Sequence, residues 1–261
     1  MAEKTLQQVT YEKDLGVYTM RKSKLCRNLP IFDQEAAYNL IRHKYSGTDK
    51  GILYLWFYNP VATKLVSCLP DWIAPNLITT VGFIHTIIPL CVLFSIEDFT
   101  LLGPVPRWFC FLQAWCYFAY RMLDEMDGKQ ARKTGNSSPL GLIFDHGVDA
   151  WSTGLQALIA LRVLQCGNNF LSYAMLVTAM SGFHFATLEE YYVGTLYLPP
   201  CNAVSDGSLL VVGMFVFSGI IGNDFWVKEV VDGSWMNIEG IDELTIGQIV
   251  IAVMTLMAFL L

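Results

Sequence analysis

The sequence predicts an all-α fold: a polytopic transmembrane helical bundle with an N-terminal interfacial amphipathic helix. Three observations carry this. Of 261 residues, 54% are hydrophobic and 15% charged, with a mean hydropathy of +0.41, far from the balance of a soluble domain. Apolar runs approaching the roughly 20 residues needed to cross a bilayer recur from Pro75 to the last residue. Ten of the 17 Lys and Arg precede residue 70, so the net charge of −6 conceals a basic N-terminal segment. The seven cysteines are scattered, with neither a disulfide framework nor a metal-type spacing. No cleavable signal peptide is evident, because the first 40 residues are polar and charged.

Taken in order, residues 1–48 form a polar cytosolic segment in which Asp33-Gln-Glu-Ala-Ala could start a short helix. Residues 49–70 are apolar with Trp56, Phe57, Tyr58 and Lys64, the composition of an amphipathic helix lying at headgroup level. Asn59-Pro60 and Pro70-Asp71 interrupt it too often for a span. Residues 71–261 form the transmembrane domain. Its expected spans run from Pro75-Asn76 to about Phe94, Trp108 to the Asp124 region with a helical extension to Arg132, Pro139 to Leu164, Phe170 to Tyr191, Gly207 to Ile221, and Thr245 to Leu261. Basic residues in the N-terminal segment and at Lys129, Arg132 and Lys133 place the N-terminus and the 124–149 turn on the cytosolic side. The acidic stretch between Asn223 and Glu243 then faces the lumen. The last apolar run has no polar residue to close it, which predicts a truncated chain.

Charged residues at membrane depth cost roughly 2.5–3.5 kcal/mol each on insertion scales and mark function. Here four of them recur: Asp124, Asp127, Asp145 and Asp149. On a helix Asp124, Asp127, Gly128, Ala131 and Arg132 fall on one stripe, as do Gly141, Asp145 and Asp149. Ser138-Pro139 is an N-cap and first-turn pair for the second helix. Facing each other, two such helices would gather four carboxylates, and their small residues would leave room for a ligand against the backbone. Convergent carboxylates need cations, and oxygen ligands without Cys or His select Mg²⁺, Mn²⁺ or Ca²⁺ over zinc. A pair of ions so held is the usual clamp for phosphoryl transfer, and Arg132 can hold a phosphate through its fork of donors. Carboxylate-based ion transport is the alternative, but it does not account for the Gly, Ala and Arg positions.

The pattern Asp-x2-Asp-Gly-x2-Ala-Arg-x8-Gly-x3-Asp-x3-Asp resembles the signature of the CDP-alcohol phosphotransferases at every fixed position. Eight fixed residues at ~6% each match by chance on the order of 10⁻¹⁰ per start position. Flanking stretches are similar to the eukaryotic aminoalcohol branch: His43-Lys44-Tyr45-Ser46-Gly47, Trp72-Ile-Ala-Pro75-Asn76-Leu-Ile-Thr79, Asp127-Gly-Lys-Gln-Ala-Arg132 and Phe144-Asp-His146-Gly. Val148-Asp149-Ala-Trp151-Ser and Glu189-Glu-Tyr191-Tyr-Val-Gly194-Thr-Leu-Tyr-Leu-Pro199 look closest to ethanolaminephosphotransferases. There are two departures. Leu142 stands where the branch usually has Glu, and Thr187-Leu188 where it commonly has His-Trp.

The resemblance implies two Mg²⁺ or Mn²⁺ ions held by Asp124, Asp127 and Asp145, with Asp149 as a further ligand or base. It implies a cytidine nucleotide received by Gly128, Ala131 and Arg132, with Asn76 lining the same cavity; for Asn76 a helix-start cap is the structural alternative. Lys129 and Lys133 contact phosphate or serve as topogenic charges. His85 and His184 are expected in the core. The implied reaction moves phosphoethanolamine from CDP-ethanolamine to diacylglycerol, releasing CMP, in the endoplasmic reticulum or Golgi membrane with the site toward the cytosol. CDP-choline or dual specificity is the alternative. Membrane lipid and a homodimer are the other partners the resemblance allows, and no nucleic acid is expected. The branch has later spans that this chain lacks, which predicts nucleotide binding with low or no transferase activity. For the base, His146 competes with Asp149. A carboxylate beside two cations is a good ligand and a weak base, whereas an imidazole works near neutrality; an orienting role toward Asp145 or Asp149 is the other use of His146.

Overall fold

The structure, a computed structural model, describes residues 10–12, 17–19, 45–96, 100–232 and 243–260. Residues 1–45 and 46–261 are separate compact units. In the first, β1 (Thr10–Glu12) pairs antiparallel with β2 (Val17–Thr19), with Tyr11 opposite Tyr18. The sequence reading had no strands there, although Thr, Val and Tyr are the residue types that strands favour. The helix start expected at Asp33 and the His43-Lys44 part of the flanking motif lie outside the described residues.

The second unit begins with β3 (Gly47–Asp49), which pairs in parallel with β4 (Leu196–Leu198). A π-helical turn at Tyr54–Tyr58 runs directly into α1 (Asn59–Cys68). Pro60 therefore does not break the segment: it sits in the first turn of α1, where its missing N–H is no loss. The start of this segment is fixed from afar, because the Asp206 carboxylate accepts from the Ile52 and Leu53 amides at 3.1 and 2.6 Å.

Six longer helices follow at nearly the expected bounds: α2 (Pro75–Ile96), α3 (Arg107–Thr134), α4 (Pro139–Val163), α5 (Phe170–Val193), α6 (Asp206–Ile221) and α7 (Ile246–Leu260). Between α6 and α7 lie a 3₁₀ turn (Asn223–Val227) and an antiparallel pair, β5 (Glu229–Asp232) with β6 (Glu243–Thr245). Two of the helices, α2 and α5, are long and apolar enough to cross a membrane. Helix α3, at 28 residues, is about 42 Å long and exceeds the ~30 Å hydrocarbon core, as the expected extension to Arg132 requires. It stops because Gly135 turns left-handed at φ 68°, letting the Asn136 amide bond the Ala131 carbonyl at 2.9 Å. Helix α4 starts where Ser138 caps the Gly141 amide at 3.1 Å, with Pro139 in its first turn.

Helix α2 packs along both α3 and α4, while those two touch each other sparsely. The aspartate-bearing helices thus diverge from their shared turn, and α2 spans the gap. Helix α6 packs on the far side of α3, α1 lies across α3, and α5 rests between α4 and α7. One apolar core joins Leu93, Phe109, Ala114, Ile159, Val163 and Phe215 beneath the site. A second, with Tyr58, Ala62, Val66, Ile78, Met122 and Met126, fastens α1 to α2 and α3. Helix α5 keeps Phe170, Tyr173, Phe185, Tyr191 and Tyr192 exposed, the outward apolar surface of a helix facing lipid.

Candidate active site

The site forms where α2, α3 and α4 come together. Asp124 and Asp127 descend from α3 and Asp145 from α4, and each offers one carboxylate oxygen within 4.8 Å of the others. That spread suits ligand atoms around a shared divalent ion, with metal–oxygen bonds of about 2.0–2.6 Å. Among the described residues Asp145 Oδ1 is buried without a hydrogen-bond partner, so that a hard cation is a group its lone pairs fit. Donor chemistry and geometry are therefore compatible with a bound divalent ion.

The fourth carboxylate has a hydroxyl partner of its own. One turn deeper on α4, Asp149 accepts the Tyr120 hydroxyl at 2.6 Å and is not part of the three-residue group. Two helices facing each other were expected to gather all four. Three of them offer oxygens within reach of one ion, and Tyr120 donates to the fourth.

Two further residues hold the acids in place. Thr79 of α2 donates its hydroxyl to Asp127 inside the bundle. Arg121, buried one turn before Asp124, gives one guanidinium nitrogen to Asp124 and the other to Glu125 at 3.2 Å. Beneath it lies the Tyr58 ring, 6.0 Å from the guanidinium carbon. One charge of the acidic group is thereby balanced by protein, and the Asp124 side chain is locked. Sequence reasoning began the stripe at Asp124 and missed these residues. Counting one helical turn backward from Asp124 reaches both Tyr120 and Arg121, which was the available signal.

The side of α3 beyond the acids carries the groups expected to meet a nucleotide. The Arg132 guanidinium folds back over the helix surface at Gly128, 3.5 Å from where a Cβ would stand, an ordinary contact distance. Arg132 is exposed and Ala131 half-buried. Lys129 points elsewhere: its ammonium lies 5.5 Å above the Tyr54 ring. Burial, and then the charge of Glu125, holds the Tyr54 phenol above its ordinary pKa, so it stays a neutral hydroxyl beside charged neighbours. Lys133 donates to the Val66 and Leu69 carbonyls at 3.2 and 2.6 Å and pairs with Asp71 at 3.0 Å. In this arrangement Lys133 closes the end of α1.

Asn76 is exposed in the first turn of α2. Its side-chain oxygen lies against the start of α4, 3.5 Å from where a Gly141 Cβ would stand. His146 is half-buried and turned toward α5, with Nδ1 3.9 Å from Glu190 Oε2 and its ring edge-on to Phe183. The two histidines expected in the core are not deeply buried. His184 is exposed, and His85 is half-buried with Nδ1 2.7 Å from the Val81 carbonyl of its own helix.

Residues 72–260 match the CDP-alcohol phosphatidyltransferase family. The chain is 37% identical over 197 residues to an uncharacterized class-I CDP-alcohol phosphatidyltransferase family protein of Dictyostelium discoideum, covering 75% of this chain and 49% of that one. It is 36% identical to choline/ethanolaminephosphotransferase 1 of Arabidopsis thaliana, covering 73% of this chain and 48% of the relative. With ethanolaminephosphotransferase 1 of Pongo abelii it shares 31% identity, over 72% of this chain and 49% of the relative. The chain spans about half the length of the curated relatives it matches. With the three-helix aspartate site and its Gly128–Arg132 flank lying inside the matched region, the chain belongs to the CDP-alcohol phosphatidyltransferase family.

Proposed function

We propose that this chain provides the donor and metal site of an enzyme transferring phosphoethanolamine from CDP-ethanolamine to diacylglycerol, giving phosphatidylethanolamine and CMP. The observation that carries the reading is the convergence of Asp124, Asp127 and Asp145 from two helices, beside an exposed Arg132 folded over Gly128. Membership of the family supplies the reaction class. Asp124, Asp127 and Asp145 would hold the divalent ions, Mg²⁺ or Mn²⁺, with Asp149 as a further ligand. Such ions supply charge neutralisation on a diphosphate and on the departing phosphate oxygen.

The remaining work falls to this chain's side chains. Arg132 offers its fork of donors to the donor diphosphate. Gly128 and Ala131 leave the helix surface low enough for the nucleotide to lie against it, and Asn76 closes the mouth. Thr79 and Arg121 keep two carboxylates in fixed rotamers, so that little reorganisation accompanies binding. The lipid hydroxyl must lose its proton as it attacks phosphorus, and His146 is the group assigned to accept it. A site at membrane depth lets diacylglycerol reach it by lateral diffusion while the soluble donor arrives from the cytosol. The basic residues near the turn support that orientation, in an endoplasmic reticulum or Golgi membrane.

A second reading is dual use of CDP-choline and CDP-ethanolamine. It is favoured by the name of the Arabidopsis relative, choline/ethanolaminephosphotransferase. The deciding measurement is CMP release from each CDP-alcohol in the presence of diacylglycerol. Turnover of CDP-ethanolamine well above CDP-choline supports the first reading and comparable turnover the second. Absence of CMP from either, in a preparation that also binds neither donor, overturns both.

A further inference from the structure

We propose that Tyr58 is a positioning residue for the metal site, acting through Arg121; this deepens the function above and rests on Asp124 holding a divalent ion. The π-helical turn that carries Tyr58 closes with the Asn59 amide on the Tyr54 carbonyl, and such turns are frequent at functional sites. Here the turn sets two aromatic rings against α3. The Arg121 guanidinium carbon lies 6.0 Å from the centre of the Tyr58 ring, and the Lys129 ammonium 5.5 Å over the Tyr54 ring. Arg121, Glu125 and Lys129 are spaced by four and share one face of α3. The turn therefore meets a row of alternating charge with one ring for each cation.

Of the two contacts, that of Tyr58 reaches the acids. Tyr58 is fully buried and Arg121 is 5% exposed, which removes the water that weakens a cation–ring attraction at a surface. On its other side Tyr58 is fixed by a hydrogen bond of 3.2 Å between its hydroxyl and that of Ser208, in the first turn of α6. From the same guanidinium, Nη1 donates to Asp124 and Nη2 to Glu125. The carboxylates take N–H donors, whereas the ring attracts the cation as a whole, so the two kinds of contact do not compete. One chain of contacts thus runs from α6 through the π-helical turn to Asp124. Without the ring, the guanidinium could swing about its own torsions and Asp124 would turn with it. A carboxylate already fixed in its rotamer takes an ion without losing that freedom on binding.

The test follows Mn²⁺ binding to the full chain in detergent, through the electron paramagnetic resonance of the free ion. Tyr58→Leu removes the ring and should weaken binding by about tenfold, the lower end of what losing a partner of a metal ligand costs. Tyr58→Phe keeps the ring without the hydroxyl and should retain most of the affinity. A buried Tyr→Leu change can also prevent folding, so a second series keeps the shape nearly constant: phenylalanine carrying successive ring fluorines in place of Tyr58. Fluorine drains the negative ring face that attracts a cation. Affinity should therefore fall stepwise along the series, a response that packing alone would not give. If the wild type binds Mn²⁺ and Tyr58→Leu binds it equally, the positioning role is overturned while the metal site stands. The same follows if Tyr58→Phe loses as much as Tyr58→Leu, or if the fluorinated series is flat. A wild type that binds no Mn²⁺ overturns the metal assignment and this proposal with it.

Discussion

Thr79, Tyr120 and Arg121 determine how a group of aspartates can persist inside an apolar bundle. Each supplies a donor to one carboxylate: Thr79 to Asp127, Tyr120 to Asp149, and Arg121 to Asp124. Arg121 is 5% exposed and serves Glu125 as well. Replacing it with Met would strand two nearly buried carboxylates, so thermal unfolding in detergent should show a loss of about 3–5 kcal/mol. Thr79→Val keeps the shape and removes the donor. Mn²⁺ titration should then show affinity reduced about 10–100-fold with little change in folding. For Arg132→Lys the charge remains and the fork is lost. The donor KM should rise by roughly tenfold or more, and an unchanged KM would return Arg132 to a topogenic role. His146→Ala should cut kcat by ~10²–10⁴ with CDP-ethanolamine binding nearly intact, whereas Asp149→Asn should impair metal-dependent donor binding too.

At the scale of elements, the site depends on where α3 stops and α4 starts. Gly135 ends α3 in the left-handed region, and Ser138 caps α4 three residues later. This short turn fixes the rotation of both helices and hence which face each aspartate occupies. Ser138→Ala should cost about 1 kcal/mol of stability, read as a lower unfolding midpoint. The helix ends were legible in the sequence because caps are local chemistry: Ser-Pro at a start and Gly at an end act through neighbouring residues alone. Local rules were less informative for the 49–70 segment. Its π-helical turn runs on through Pro60, and its start is held by Asp206, more than 150 residues away in sequence.

For the whole molecule, the metal is the common dependence. Three carboxylates with an unpartnered buried oxygen at Asp145 should bind donor poorly without divalent ions. EDTA is expected to abolish CMP release and donor binding, and Mg²⁺ or Mn²⁺ to restore both. Activity that survives exhaustive chelation would exclude the metal account. The bundle supports this site by placing α2 against both α3 and α4, so that a third helix closes the gap between the two that carry the acids.

The sequence by itself determined the class of fold, the six long helices to within a few residues, and eight spaced positions of the acidic site. Those features are written in hydropathy, helical period and caps, which act over distances shorter than one helix. Only the tertiary structure decided which carboxylates meet. Helical spacing places Asp145 and Asp149 on the same stripe, and the fold gives them different neighbours: Asp145 offers an oxygen beside those of Asp124 and Asp127, and Asp149 accepts from Tyr120. It also decided that Lys133 closes α1, that Thr79 serves Asp127 and that His146 faces Glu190. A hydroxyl, an ammonium or an imidazole on a helix is compatible with several partners. Which one it takes depends on the crossing of a neighbouring helix, and that is settled by packing along the whole length of the bundle.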